Sequence, residues 1–362
     1  MAQILYDDDA DLGVIQNKKV AVVGYNALAR AHALNLRDTG VDVIVGVQPE
    51  DPTGQRAAEE GLPVAPIAHA VDGADVVALL VADSAQVGIY TEQVAPNLKQ
   101  DATLVFAHGF NVRYGYIDPG RHDVCLISAK SAPSELRRLF EQGQGVPATV
   151  AISDDGSGRA WEVALSYAKA LGATRAGVVK TTFDEEVEAG LFGKIAVERG
   201  GILMLMQYGF ETLVDAGYEP EVAYLEVCHG LRPLMELVSD ASASVPVGAS
   251  ASEAANAQAD QRASVSESES AKASIGLEAM GLEEVNTALY GALAEGPRVV
   301  APEVKEHMRE VLTRIQDGTF AQQFTEDQAG GGQELRALSE QARSHPMRRA
   351  QETLKTAFGF NN

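Results

Sequence analysis

The segment from Lys180 to Gly201 carries the residues whose types and spacing bear most directly on chemistry. It reads KTTFDEEVEAGLFGKIAVERGG, which predicts one helix with a threonine N-cap and with Gly200-Gly201 as a stop or a close-packing point. A run of carboxylates beside an apolar stripe is a candidate metal-binding helix. Gly190 and Lys194, however, are four apart and share one helix face, where a metal site requires carboxylates.

The same segment resembles the first helix of the second domain in the ketol-acid reductoisomerases, the NADPH- and magnesium-dependent enzymes of branched-chain amino-acid synthesis. The family motif reads TTF, then EE, then D-L-F-G-E-Q-A, and the resemblance implies that this Asp and Glu hold magnesium ions. Gly190 stands at the Asp position and Lys194 at the Glu position, inside an otherwise intact frame.

A second stretch, Pro220 to Leu231, resembles the family sequence A-Y-F-E-C-L-H-E-L, whose two glutamates complete the metal site. Glu226 is retained and Gly230 stands at the second position. Hard cations need several oxygen ligands, and a neighbouring ammonium group repels them. These positions predict that the magnesium site is lost and that the chain has no metal ligands. Lys194 then either pairs with Glu226 or reaches solvent beside a water-filled cavity.

Length and composition indicate a globular protein of two domains. The chain has 362 residues, of which 46% are hydrophobic, enough for a sizeable core. The formal net charge of -22 argues against nucleic acid as a partner. Two cysteines give no disulfide framework, and neither a signal pattern nor a membrane-length apolar run is present, which favours a cytoplasmic protein with no membrane partner.

The first half of the chain predicts a dinucleotide fold. A short β-branched run is followed by a tight turn and by helical spacing over Ala29 to Asp38, and further strands alternate with helical stretches, as in a parallel sheet covered on both faces. From about Val150 helical periodicity dominates. The predicted strands are Lys18 to Gly24, Val41 to Val47, Val76 to Val81, Thr103 to Ala107 and Val124 to Ser128.

The turn after the first strand is the predicted phosphate-binding site. The family carries G-x-G-x-x-G there, and this chain has Gly24, Tyr25, Asn26 and Ala29 in the corresponding run, followed by Arg30. Asn26 can adopt a positive φ but places a side chain where the phosphate is expected. Arg30 could compensate by binding a phosphate directly. Binding of NAD or NADP is therefore predicted to be weakened but still possible.

The loop after the second strand bears on the choice between the two dinucleotides. It runs from Gln48 to Thr53 and contains Glu50 and Asp51, where the family places residues that neutralise the 2'-phosphate of NADP. Acidic side chains at this edge suit the ribose of NAD. A switch to NAD and a merely solvated acidic loop both remain open, and Gln48 is a candidate cofactor contact.

Two further motifs supply candidate catalytic residues. Phe106 to Phe110 keeps the HGF signature with His108, which in the family lies beside the nicotinamide and the substrate, and Ala129-Lys130 keeps part of A-P-K-G-P-G-H. Both residues follow predicted strand ends, where an open α/β sheet holds its ligands. The candidate catalytic set is His108, Lys130, Glu226 and Lys194.

The adjacent Cys228 and His229 do not predict a nucleophile and its base, because neighbouring helical residues point about 100° apart. Cys228 is predicted in the core and His229 at the helix surface. The stretch from 240 to about 278 is rich in Ser, Ala and Glu, and reads as a flexible inserted loop or, in a functional interpretation, as a lid or partner-docking element.

The resemblance covers nearly the whole chain except this insertion. It implies a Rossmann-type α/β domain over 1–180, an all-α knotted domain over 181–362, and a homodimer. Because the metal ligands are replaced, the leading hypothesis is a diverged enzyme of specialised metabolism that acts on another small acid or alcohol. The alternative is a pseudoenzyme that binds a partner or an active paralogue, and an ordinary ketol-acid reductoisomerase is ranked last.

Overall fold

A computed structural model of the chain describes residues 2–231 and 287–358. The described residues form two compact units that divide between Ala189 and Gly190. The insertion predicted over 240–278 lies outside the described residues.

The first unit is built on a nine-stranded sheet in the order β1-β9-β8-β7-β6-β5-β2-β3-β4. Strands β2 to β7 are parallel to one another, in the order typical of dinucleotide-binding folds. The pairs β1/β9 and β7/β8 are antiparallel, and β8/β9 is parallel. The strands are β1 Ile4–Leu5, β2 Lys19–Val23, β3 Asp42–Val47, β4 Val64–Pro66, β5 Val76–Leu79, β6 Thr103–Phe106, β7 Asp123–Ala129, β8 Ala148–Asp154 and β9 Val178–Lys180.

Helices alternate with these strands, because two parallel strands of one sheet must be joined by a crossover segment. They are α1 Gly13–Gln16, α2 Ala27–Asp38, α3 Thr53–Glu59, α4 Ile67–Val71, α5 Asp83–Ile89, α6 Phe110–Arg113, α7 Pro133–Glu141 and α8 Ala160–Ala170. A π-helical turn, Tyr90–Val94, extends α5. The last element of the first unit is helix α9, Phe183–Phe192, whose residues from Gly190 onwards belong to the second unit.

All five strands predicted from the sequence are confirmed as β2, β3, β5, β6 and β7. The prediction that helical periodicity takes over from about Val150 is wrong, because β8 ends at Asp154 and β9 follows at 178. These two strands extend the sheet beyond the parallel core, and β1 closes its edge against β9. Short strands near the edge of a sheet show little alternation of apolar and polar residues, and their pairing with neighbouring strands decides where they form.

The core of the first unit lies between the sheet and its helices. The central strands are β-branched and almost fully buried, as expected for a sheet covered on both faces. Tyr167 of α8 is completely buried and its hydroxyl lies 3.0 Å from Nδ1 of the equally buried His32. At the edge, the Lys180 ammonium lies 4.4 Å from the ring centre of Trp161, the single tryptophan of the chain.

The segment predicted as one helix from Lys180 to Gly201 is divided. Helix α9 is capped by the Thr182 hydroxyl, which accepts a hydrogen bond from the Glu185 amide at 3.2 Å. It gives way to a π-helical stretch, Gly193–Glu198, before α10 begins at Gly201. A Cβ at Gly200 would lie 2.0 Å from the Ile195 carbonyl oxygen five residues earlier, so the backbone that follows the π-helical stretch leaves no room for a side chain there.

The second unit is helical over its described residues. Phe210, Ala223 and Ala350 form its buried cluster, and Cys228 is buried as predicted, with Sγ 3.4 Å from Sδ of Met347. Across the described ranges, no helix is both long and apolar enough to cross a membrane. The helices after the π-helical stretch are α10 Gly201–Asp215, α11 Pro220–Tyr224, α12 Thr287–Val299, α13 Pro302–Gln316, α14 Thr319–Ala329, α15 Gln333–Ser344 and α16 Pro346–Phe358.

Candidate functional site

The turn after β2 has the backbone geometry that the sequence predicted for a phosphate-binding loop. Gly24 has a φ of 93°, which favours glycine. A Cβ there would also lie 2.8 Å from Cγ1 of Val81, so the neighbouring strand end leaves no room for a side chain. The Gly24 amide donates to the Gly46 carbonyl oxygen at 2.8 Å and so joins this turn to β3.

Asn26 caps helix α2 and keeps an ordinary extended conformation, with φ of -70°. Its Oδ1 accepts hydrogen bonds from the amides of Leu28 and Ala29, both at 3.0 Å, and its Nδ2 donates to the Leu80 carbonyl oxygen at 2.7 Å. These two amides are among the donors that a helix N-terminus offers to a bound phosphate. In this chain an internal side chain already uses them.

Arg30 is held by Glu60 at the same edge of the sheet. Its Nε lies 2.8 and 2.9 Å from the two Glu60 carboxylate oxygens, and Nη2 lies 2.7 Å from Oε1. Hydrogen bonding from Arg30 lowers the pKa of Glu60, which also accepts a hydrogen bond from the Tyr25 hydroxyl. Burial, followed by that contact, raises the pKa of Tyr25. Phosphate binding by Arg30 stays a prediction, and it would require Arg30 to share its guanidinium with Glu60.

The loop after β3 is acidic and exposed. The Asp51 amide donates to the Gln48 carbonyl oxygen at 3.0 Å, which closes a turn around Pro49. Oδ1 of Asp51 accepts from the Thr53 amide at 2.8 Å and from its hydroxyl at 2.7 Å. Gln48 and Glu50 are solvent-exposed, so the cofactor contact predicted for Gln48 is sterically open.

His108 lies two residues beyond β6, as predicted, and its side chain is exposed. The glycine after it permits a close approach of two elements. A Cβ at Gly109 would lie 2.3 Å from Cε1 of Phe183 and 2.7 Å from Cδ1 of Leu126. The His108 turn is therefore packed directly against the start of α9.

Lys130 immediately follows β7, and its ammonium group lies 2.7 Å from Oε1 of Glu186 on α9. The same group donates to the Ser128 hydroxyl at 3.2 Å. The Glu186 side chain is 5% exposed whereas that of Lys130 is 41% exposed. A buried carboxylate thus anchors the ammonium group of a lysine whose side chain is partly exposed at the sheet edge. His108 and Lys130 follow adjacent strands, so the fold brings these two predicted residues to the same edge.

The other carboxylates of α9 are also engaged within the first unit. Arg113 of α6 lies 2.9 Å from Asp184 and 2.7 Å from Glu188, and the Thr181 hydroxyl donates to Glu185. The acidic run that suggested a metal-binding helix therefore ties α9 to α6 and to the strand ends. Among the described residues, no group of three or more His, Cys, Asp or Glu side chains is placed to hold a metal ion.

The four positions at which the resemblance implies magnesium ligands lie in the second unit. Gly190 is near the end of α9, Lys194 is in the π-helical stretch, and Glu226 and Gly230 lie within and just after the π-helical turn Leu225–His229. One carboxylate and one ammonium group do not match the oxygen-rich donor set that two divalent cations need. The pairing of Lys194 with Glu226 stays a prediction, as do the roles assigned to the four candidate catalytic residues.

Glu186 is the residue that sequence reasoning missed. In the sequence, the acids of this segment suggest only metal ligands, and Gly190 and Lys194 decide against them. A usable signal was present: Phe183, Glu186 and Val187 have the i, i+3, i+4 spacing of one helix face, and all three are buried. A carboxylate on an apolar stripe requires a cationic partner.

The parallel sheet, its strand order and the glycine turn at the carboxyl edge of β2 define the first unit as a dinucleotide-binding domain. A family model described as the acetohydroxy acid isomeroreductase NADPH-binding domain matches residues 14–177. A second, the ketol-acid reductoisomerase C-terminal domain, matches residues 183–274 and 270–359. The chain belongs to the ketol-acid reductoisomerase family.

Individual relatives match over the whole length. The ketol-acid reductoisomerase (NADP(+)) of Beutenbergia cavernae is 45% identical over 361 residues, which cover 99% of this chain and 96% of the relative. The protein of the same name from Arthrobacter sp. (strain FB24) is 43% identical over the same span. Among solved structures, an NADH-preferring ketol-acid reductoisomerase from an uncultured archean is 34% identical, has a TM-score of 0.84, and is matched over 98% of both chains.

These matches confirm the predicted fold class, a Rossmann-type α/β domain plus a helical C-terminal domain. They contradict the predicted function. The leading hypothesis, an enzyme of specialised metabolism for another small acid or alcohol, is wrong, and so is the alternative, a pseudoenzyme that binds a partner or an active paralogue. Relatives matched over 99% of the chain are named ketol-acid reductoisomerases, the function ranked last. Four replaced positions are a weaker indication of function than agreement along the rest of the chain.

Proposed function

We propose that this chain is a ketol-acid reductoisomerase, which uses a reduced nicotinamide dinucleotide to isomerise and reduce a ketol acid. The single observation that carries the proposal is the full-length match to relatives of that name. The arrangement of the first unit supports it, because the glycine turn, His108 and Lys130 all follow strand ends at the carboxyl edge of one sheet.

The dinucleotide supplies the hydride when bound, and the residues of this chain orient and stabilise the reacting groups. The turn from Gly24 to Ala29 would hold the diphosphate, which would have to compete with the Asn26 side chain for the amides of Leu28 and Ala29. The Lys130 ammonium group is the cation available to an anionic oxygen of the substrate. Glu186 and Ser128 fix its position and so act as positioning residues.

Steady-state assays of the purified chain with acetolactate and NADPH or NADH test the proposal. Lys130→Met is expected to lower kcat by about 100-fold or more, because the substrate oxyanion loses its cation. Lys130→Arg keeps the charge and should retain part of the activity. Glu186→Gln should raise KM while the lysine remains, because Lys130 loses the carboxylate that holds it in place.

Lys99→Met is the matched control. Lys99 also pairs with a carboxylate, Asp75, but that residue directly precedes β5 at the amino edge of the sheet. Its replacement should leave turnover unchanged. If the folded wild-type chain converts no acetolactate with either dinucleotide at any magnesium concentration, the proposed function is wrong.

We further propose that this chain holds divalent cations more weakly than a chain with four carboxylates at the corresponding positions. Lys194 supports this, since an ammonium group near a vacated ligand position opposes a cation. The triple variant Gly190→Asp, Lys194→Glu and Gly230→Glu should lower the magnesium concentration that gives half-maximal binding in calorimetry. Two magnesium ions that stay bound to the wild-type chain through dialysis would contradict this proposal.

A further inference from the structure

The loop after β3 carries negative charge at the sheet edge where a dinucleotide fold places the adenosine ribose. Strands β2 and β3 are parallel neighbours, with Val23 opposite Gly46, and the Gly24 amide is bonded to Gly46. The Gln48 to Thr53 loop therefore lies beside the glycine turn. In this fold class an acidic residue at that position binds the ribose hydroxyls, and a basic residue accommodates a 2'-phosphate.

The two acids of the loop differ in their role. Asp51 is half-buried, and one of its oxygens organises the loop through Thr53. Glu50 is exposed, and lies at the tip of the turn around Pro49. Glu50 is therefore the carboxylate that can move towards a bound ribose without disturbing the loop.

The two arginines nearest this edge in the sequence share one carboxylate. Arg30 makes a two-pronged ion pair with Glu60, and Arg56 lies 3.7 Å from the same carboxylate. Glu50 and Asp51 add two further carboxylates, so the acids of this part of the chain outnumber its arginines by three to two. A 2'-phosphate, which carries about -1.5 to -2 charges at neutral pH, would meet a local excess of negative charge.

We infer that this chain selects NADH over NADPH, and that Glu50 is a principal determinant of the choice. Its carboxylate accepts a hydrogen bond from the ribose 2'-hydroxyl and repels a phosphate at the same position. The inference rests on the proposed function for the presence of a bound dinucleotide, and it deepens that function by naming which dinucleotide is used.

Equilibrium binding of NADH and of NADPH to the full chain, measured by calorimetry without substrate, tests the inference. The wild-type chain should bind NADH about tenfold more tightly or better. Glu50→Arg should shrink this ratio by several-fold, mainly through tighter NADPH binding. Because the penalty is electrostatic, NADPH binding by the wild type should improve relative to NADH as salt is raised.

Asp42→Arg is the matched control, since Asp42 is an exposed aspartate at the opposite end of the same strand. It makes the same change in total charge and should leave the ratio unchanged. Equal or tighter binding of NADPH by the wild type, binding of neither dinucleotide, or an unchanged ratio in Glu50→Arg would overturn the inference. Failure to convert acetolactate, with the binding preference intact, would count against the proposed function alone.

Discussion

Gly109 is the most tightly constrained single residue near the candidate site. We predict that Gly109→Ala lowers the free energy of unfolding by about 1–3 kcal/mol, because its Cβ would overlap the buried Phe183 ring and Leu126. Since His108 is adjacent, catalytic turnover should also fall. Urea denaturation and steady-state kinetics measure the two effects.

Two controls separate overlap from a general effect of replacing glycine. Gly88→Ala in α5 places its Cβ in open space and should be neutral or slightly stabilising. The double variant Gly109→Ala with Phe183→Leu should recover part of the lost stability. If Gly109→Ala is as stable as wild type, the close packing of α9 on the His108 turn is not as described.

The buried His32 makes the stability of the first unit depend on pH. Complete burial lowers its pKa from 6.5 to about 4, so the unfolded chain binds a proton at a higher pH than the folded chain. The stabilisation is present above pH 6.5 and is lost as the pH falls towards 4, by about 3 kcal/mol. Urea denaturation between pH 7 and pH 4 should show this loss reduced in His32→Gln.

His69→Gln provides the comparison, because His69 is exposed on α4. That variant should lose stability with acid as the wild type does. If His32→Gln and His69→Gln show the same pH dependence, titration of the buried histidine does not govern the acid sensitivity.

Residue positions were predictable where a motif tied them to a strand end. His108 and Lys130 lie where the HGF and A-K signatures placed them. Glu186 was not found, because its partner Lys130 is 56 residues away and only the folded sheet brings β7 next to α9. The side-chain direction of Asn26 was also unpredictable, since the cap depends on the Leu80 carbonyl oxygen contributed by a neighbouring strand end.

At the scale of elements, the N-terminus of α2 controls how much hydrogen-bonding capacity remains for a phosphate. We predict that Asn26→Gly tightens dinucleotide binding about fivefold, because it frees the Leu28 and Ala29 amides and removes the side chain. Stability should fall by about 1 kcal/mol, mainly because the hydrogen bond from Asn26 Nδ2 to the Leu80 carbonyl oxygen is lost, since glycine is itself a tolerated N-cap. Calorimetry and thermal unfolding measure the two quantities.

Asn26→Ala is the informative comparison for that helix. It frees the same amides but keeps a Cβ near the backbone, so it should lose the cap without an equal gain in affinity. If Asn26→Gly binds dinucleotide more weakly than the wild type, the asparagine itself contacts the cofactor and the competition argument fails.

Elements were predictable where hydrophobic patterning alone decides them, as in the five buried strands of the parallel core. Strand β9 has only three residues and depends on β1 and β8 for its pairing, so its own sequence carries too little signal. The division of the Lys180 to Gly201 segment was missed because a π-helical turn needs no distinctive composition. Gly193 and the β-branched Ile195 only weaken the helix there.

At the scale of the whole molecule, α10 has apolar residues on more than its buried side. Leu203, Met204, Leu205 and Tyr208 are all exposed by 40% or more, although Phe210 on the same helix is buried. We expect a second copy of the chain to cover this surface, because monomeric proteins rarely expose such clusters. Light scattering after size exclusion should give twice the mass of one chain.

Leu205→Glu should shift that mass towards the single chain by placing a charge on the covered surface. Ile4→Glu makes the same kind of change at an exposed residue of the first unit and should leave the assembly intact. A wild-type chain that stays monomeric at all concentrations would refute the dimer.

The position of Trp161 gives the molecule a built-in optical label. Since it is the single tryptophan of the chain and packs against Lys180 of β9, its emission reports directly on the dinucleotide-binding unit. Far-ultraviolet circular dichroism registers both units. Recording the two signals during one denaturation would therefore show whether the halves of the molecule lose their structure together or in succession.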